Sequence, residues 1–166
     1  YNMANGRFPD QSKIDLFFSK TPVEHPGYLL PIPQPVFELQ AGQKNIPIGF
    51  EYTVKDGEDA TIWGVSGHMH ILGQSWWMKI GRQGSTSNEC LLNIPQWNFH
   101  WQRMYFLQQP TKINVGDTLK MQCVFDNSAD NQPLLPDGTR RVAKNVYWGE
   151  NTTDEMCLGL IYVTTK

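Results

Sequence analysis

The chain of 166 residues carries 14 Lys and Arg against 16 Asp and Glu, a formal net charge of -2, and is 40% hydrophobic and 12% aromatic. That is enough for one domain with a packed core and hardly for two. With only 18% charged residues, it gives no electrostatic reason to expect nucleic acid or an anionic membrane as partner. No apolar run is long enough to span a bilayer.

The chain opens on Tyr1 rather than on an initiator Met, so a segment upstream is expected to have been removed or left out. Residues 1–40 contain Pro22, Pro26, Pro31, Pro33 and Pro35, and proline at that density forbids a helix while permitting extended or edge-like segments. This predicts a Pro-rich N-terminal arm lying over the rest, with one strand near 13–18. Residues 46–54 alternate, with Ile48, Phe50, Tyr52 and Val54 on one side, as in a half-buried strand. Further strands are predicted at 60–72, 75–80, 104–107, 118–125 and 156–164. Turn formers bound them: Asp56-Gly57, Gly73, Gly81, Gly84, Gly116-Asp117 and Asp137-Gly138. Residues 126–141, polar and rich in Asn, Asp and Pro, are expected to form a long surface loop. No segment keeps a helical period with caps. The expectation is an all-β fold, an antiparallel β-sandwich or jelly roll. It is expected as a single domain over 1–166, with the arm at 1–40 and the core sandwich at 41–166.

Two of the four histidines stand in Gly67-His68-Met69-His70. Residues i and i+2 of a strand share a face, so both imidazoles are offered together, within reach of a single metal ion. The plain alternative is a coincidental pair on a solvated face, and His-x-His alone does not choose between them. The candidate third ligand is Met156, preceded by Asp154-Glu155 and followed by the apolar run 157–163. Methionine is ordinarily core filler, and it becomes a ligand only if its strand lies beside segment 68–70. Two neutral imidazoles and a thioether make a soft, low-charge set that suits Cu(I) and leaves Cu(II) accessible. Zinc favours a third His, a carboxylate or a thiolate. Cysteines stand at 90, 123 and 157; they allow one internal disulfide plus a free thiol, or three buried reduced thiols.

A series of short motifs follows in order: His68-Met69-His70-Ile71-Leu72-Gly73, Trp97-Asn98-Phe99-His100-Trp101-Gln102 with Tyr105, and Val115-Gly116-Asp117. Then come Cys123-Val124-Phe125-Asp126-Asn127-Ser128, Trp148-Gly149 and Thr153-Asp154-Glu155-Met156-Cys157. In that order and spacing they resemble the C-terminal domain of the copper type II, ascorbate-dependent monooxygenases. That family includes the peptidylglycine α-hydroxylating and dopamine β-monooxygenases, and the Trp-x-Phe-x-Trp-Gln and Asp-Asn-Ser segments are similar to its bacterial members. The resemblance implies an oxidoreductase that hydroxylates a C–H bond with O2, using two copper sites on two sandwich domains. The C-terminal site, with two His and one Met, is where oxygen and substrate meet. Carried over residue by residue, this implies one copper ion on His68, His70 and Met156. It also implies a disulfide between Cys123 and Cys157, an unpaired Cys90, and a periplasmic or extracellular (secreted) location.

The departures carry expectations too. The family's other copper site uses an adjacent His pair and a later His followed by Tyr, and no adjacent His pair occurs here. Aligned to the family, the resemblance implies that Tyr1 falls just after that last histidine, with an upstream copper domain as partner. Alone, the chain is expected to bind metal but to lack the second electron source for coupled hydroxylation. The peptide-amidating branch has an Arg two residues before the first ligand His; Ser66 stands there, and Leu158 and Leu160 replace polar substrate contacts. A small-molecule substrate other than a peptidylglycine is implied. The contrasting function is a non-catalytic copper-binding or structural sandwich, a subunit of a larger extracellular or periplasmic assembly. His100 is expected as a hydrogen-bonded or half-exposed histidine rather than a fourth ligand, and His25 as solvent-facing. Asn151-Thr152-Thr153 matches a glycosylation acceptor.

Overall fold

The structure, a computed structural model, describes Gly6 and residues 9–165. Among the described residues the chain forms ten strands: β1 (Gly27–Pro33), β2 (Glu38–Leu39), β3 (Ile46–Thr53), β4 (Ala60–His68), β5 (Gly73–Gly81), β6 (Asn88–Ile94), β7 (Tyr105–Ile113), β8 (Thr118–Phe125), β9 (Val146–Tyr147) and β10 (Leu158–Thr165). They build two four-stranded sheets, β1-β10-β4-β7 and β3-β8-β5-β6, and a two-stranded β2-β9 ribbon. Every pairing is antiparallel. The expected all-β sandwich is the observed fold.

Alternation in the sequence places the core. Leu119, Met121, Cys123 and Phe125 of β8 are buried, as are Trp76, Met78 and Ile80 of β5; Gly159, Ile161 and Val163 of β10 face them from the other sheet. Trp76, fully buried, lies against the paired glycines Gly67 and Gly159. A Cβ on Gly67 would come within 2.5 Å of the Trp76 ring, so only glycine lets the indole seat there. Pro31 and Pro33 lie in β1, Pro47 in β3 and Pro110 in β7. All three are edge strands, where a missing N–H interrupts no ladder.

A β-bulge decides which way the histidine strand faces. The β4–β7 register shifts between Ile62 and Gly64, and the β4–β10 register shifts between Tyr162 and Val163. Trp63, skipped by both partners, is 41% exposed. The inward phase changes there: Ile62 and Val65 are both in the core, three residues apart. Beyond the bulge, Gly64, Ser66 and His68 share the outer face, together with their opposite numbers Leu160 and Leu158 on β10. Without the extra residue His68 would point into the core.

Several sequence expectations need correction. Residues 13–18 form no strand; Ile14, Leu16, Phe17 and Phe18 are exposed, and no described strand pairs with them. Alternation makes a strand only where an edge accepts its N–H and C=O groups. The predicted strand 60–72 ends at His68, and residues 71–72 form a turn. The strand predicted at 104–107 runs on to Ile113, and that at 156–164 begins at Leu158. β6 was not expected: Asn-Glu-Cys-Leu-Leu-Asn-Ile has no clean alternation, and its pairing to β5 is bulged between Met78 and Lys79. The long loop 126–141 holds a 3-10 turn at Ala129–Asn131 and a bridge between Leu134 and Arg140.

The turn between β7 and β8 is locked by Asp117, which is buried and accepts from the backbone N–H groups of Gln83 and Asn114 and from the Arg82 guanidinium. Burial alone would raise its carboxyl pKa, but these donors outweigh it and hold the pKa below the usual carboxylate range. A depressed folded pKa gives stability that is present above the unfolded value and lost as pH falls through the folded one. Asp117→Asn is therefore expected to cost about 1–3 kcal/mol at pH 7. The cost should shrink as pH falls from the ordinary carboxylate range through the lower folded pKa, where the wild-type carboxyl becomes protonated too, as urea midpoints at pH 7 and below that range would show.

Candidate metal centre

His68 closes β4, and His70 follows two residues later in the turn that leads to β5. Their rings stand edge to face with centroids 5.1 Å apart. His70 is buried and His68 half-buried. Although β4 ends at His68, residue 70 is held in place by the opposite segment. Leu158 pairs with His68 where the ladder ends, and the two residues just before Met156 reach the turn that carries His70. The Glu155 carboxylate accepts from the backbone N–H of His70 at 2.8 Å and of Leu72 at 2.6 Å. The carbonyl of Asp154 lies 2.9 Å from His70 Nδ1.

A carbonyl only accepts, so His70 Nδ1 carries the proton and Nε2 a lone pair. His68 Nδ1 is 2.6 Å from Gln102 Oε1. Among the described residues neither Nε2 has a hydrogen-bond partner. Burial pushes the His68 imidazole below its usual pKa, the Gln102 hydrogen bond opposes this, and the neighbouring His70 adds to it. Neutral imidazole is the ligand form.

The third element is clamped on both sides. Cys157, next to Met156, forms the disulfide with Cys123 of β8, tying the start of β10 in one sheet to the middle strand of the other. The bond closes a loop with a sequence separation of 34, which is worth about 3–4 kcal/mol by loop entropy. Cys90 is free and exposed. On the other side Glu155 is fully buried, its N–H donating to Tyr147 O and its carbonyl accepting from Gly149 N–H. Desolvation pushes its carboxyl up to about 7 against the pull of the Leu72, His70 and Met156 N–H groups and of Arg141.

Among the described residues no group of three or more His, Cys, Asp and Glu side chains converges on one point. The chemistry here is thus two imidazoles with a thioether at the adjoining backbone position, a set suited to copper and poorly suited to zinc. On the outer face, His68 lines a cavity of about 360 Å³ with Ser66, Met104, Leu158, Leu160 and Arg103. Larger clefts of about 530 and 740 Å³ contain no histidine.

Sequence reasoning did not single out the residues that orient the pair: Asp154, Glu155 and Gln102, together with Trp97, whose indole N–H donates to His70 O at 3.1 Å. Their only signal was membership in the quoted motifs. His100 is exposed, its N–H capped by Asn98 Oδ1, and its ring packs on Phe99.

The family model described as "Copper type II ascorbate-dependent monooxygenase, C-terminal domain" matches residues 51–165. The chain belongs to that family. It is 29% identical over 105 residues to a tyramine beta-hydroxylase of Caenorhabditis briggsae, a match covering 63% of this chain and 16% of that protein. The chain thus spans well under a fifth of that relative's length. A superposition on dimeric latent PorU from Porphyromonas gingivalis covers 90% of this chain and 14% of that one at 9% identity, with a TM-score of 0.30. That likeness carries no argument.

Proposed function

We propose that this chain is the oxygen- and substrate-binding copper domain of a monooxygenase of this family, with one copper ion on His68, His70 and Met156. The observation that carries the reading is the pair of imidazoles with both Nδ1 atoms tied off, His70 by the carbonyl of Asp154 two residues before Met156. Copper held there would supply redox chemistry able to activate O2 for hydrogen abstraction. The chain's own residues do the positioning. Asp154 and Phe99 fix the His70 ring, the Phe99 ring edge-on at 6.1 Å, and Glu155 keeps the turn after His70 against the Met156 segment. Leu158, Leu160 and Met104 give the open cavity at His68 an apolar wall against which a C–H-bearing group can rest.

The sandwich with its arm acts in this reading as one domain, partnered by an upstream copper domain that supplies the second electron. The disulfide supports a periplasmic or extracellular setting. Titration of metal-free protein with copper should reach an endpoint at one equivalent. Neither His68→Ala nor His70→Ala should reach it. An endpoint unchanged in the double variant would place copper elsewhere. If the wild type binds copper but shows no turnover with ascorbate and O2 even beside its upstream domain, the non-catalytic subunit is the better description.

A further inference from the structure

We infer that Gln102 is a positioning residue that sets the tautomer of His68 and so aims the Nε2 lone pair outward. Its role toward a metal rests on the reading of His68 as a ligand; the tautomer itself does not. Neutral imidazole has one N–H and one bare nitrogen, and an amide can turn either end toward it. Here the ambiguity is removed one residue further out. Gln102 Nε2 is 2.7 Å from the carbonyl of Phe99, which can only accept, so the NH2 end belongs there. Oε1 then faces His68 Nδ1 at 2.6 Å and can only accept in turn. Nδ1 is therefore protonated and Nε2 is bare.

The Phe99 carbonyl is itself fixed. Asn98 closes the turn around it, its side chain accepting from His100 N–H and its carbonyl from Trp101 N–H. Trp97 anchors the loop to β5 through Gln74 O and to His70 O. One loop between β6 and β7 thus holds both histidines, His70 through its backbone and His68 through its ring. Partners of this second layer typically change metal affinity about 10–100-fold when removed.

The test uses nitrogen-15 NMR of the copper-free chain at a pH where His68 is neutral, with copper affinity as a second readout. In the wild type, His68 should show protonated Nδ1 and bare Nε2. Gln102→Leu should let His68 sample both tautomers and weaken copper binding by about 10–100-fold, with the His70 tautomer and the thermal midpoint unchanged. Gln102→Glu still accepts from Nδ1–H, so it should keep the wild-type tautomer and hold copper within a few-fold of wild type. A wild-type His68 protonated on Nε2 overturns the inference, as does a Gln102→Leu variant with wild-type tautomer and affinity. If the leucine variant does not fold, a Gln102→Glu chain carrying the Nε2–H tautomer overturns it as well. Absence of copper binding in a chain with the expected tautomer would overturn the copper reading and leave the Gln102 relay standing.

Discussion

Glu155→Ala is expected to cost about 3–5 kcal/mol of folding stability, because it strands several buried backbone donors at once. The carboxylate accepts from His70 N–H and Leu72 N–H, and Met156 N–H also stabilises its charge. All of this lies where the side chain is fully buried, so water cannot replace the lost partner without a cavity opening. Glu155→Gln keeps the shape but turns an NH2 group toward one of those donors, and an intermediate loss of about 1–3 kcal/mol follows. Urea unfolding of the metal-free chain reads both values. Faster amide exchange at His70 and Leu72 should accompany them. A Glu155→Ala variant within about 0.5 kcal/mol of wild type, as for an ordinary surface substitution, would mean that the turn after β4 closes without it. The same variant separates His70 from the Met156 segment, so its effect on copper should exceed what its effect on stability predicts.

The sandwich was legible because strands of its second sheet carry strict alternation. Leu119, Met121, Cys123 and Phe125 announce β8, and Ile48, Phe50 and Tyr52 announce β3. The histidine pair was legible as well, but by a rule that holds only in part. His70 lies outside β4, and it stays beside His68 through Asp154 and Glu155, not through strand geometry. No local pattern reports a hydrogen bond across more than 80 residues of sequence. The bulge at Trp63 was hidden for a related reason: a bulge is a property of two strands, and Ala-Thr-Ile-Trp-Gly-Val alone does not show which residue its partners will skip. Segment 13–18 failed in the opposite direction. It is apolar enough for a strand, but none of the described strands takes it up. The disulfide joining Cys123 and Cys157 came from the family resemblance, since spacing left three cysteines undecided.

The central claim concerns Met156, because two imidazoles alone would suit several metals. Its backbone is held between Glu155 and the disulfide at Cys157, two residues before Leu158 pairs with His68. Two other methionines are near. Met69 is fully buried and packs toward Gly73 in the core, and Met104 lines the cavity beside His68. The deciding measurement is X-ray absorption on the reduced, copper-loaded chain and on its Met156→Ala variant, with Met104→Ala as control. A copper–sulfur contribution beside two imidazole nitrogens is expected in the wild type and in Met104→Ala, and it should vanish in Met156→Ala. Sulfur that survives Met156→Ala, or is missing from the wild type, would contradict the assignment.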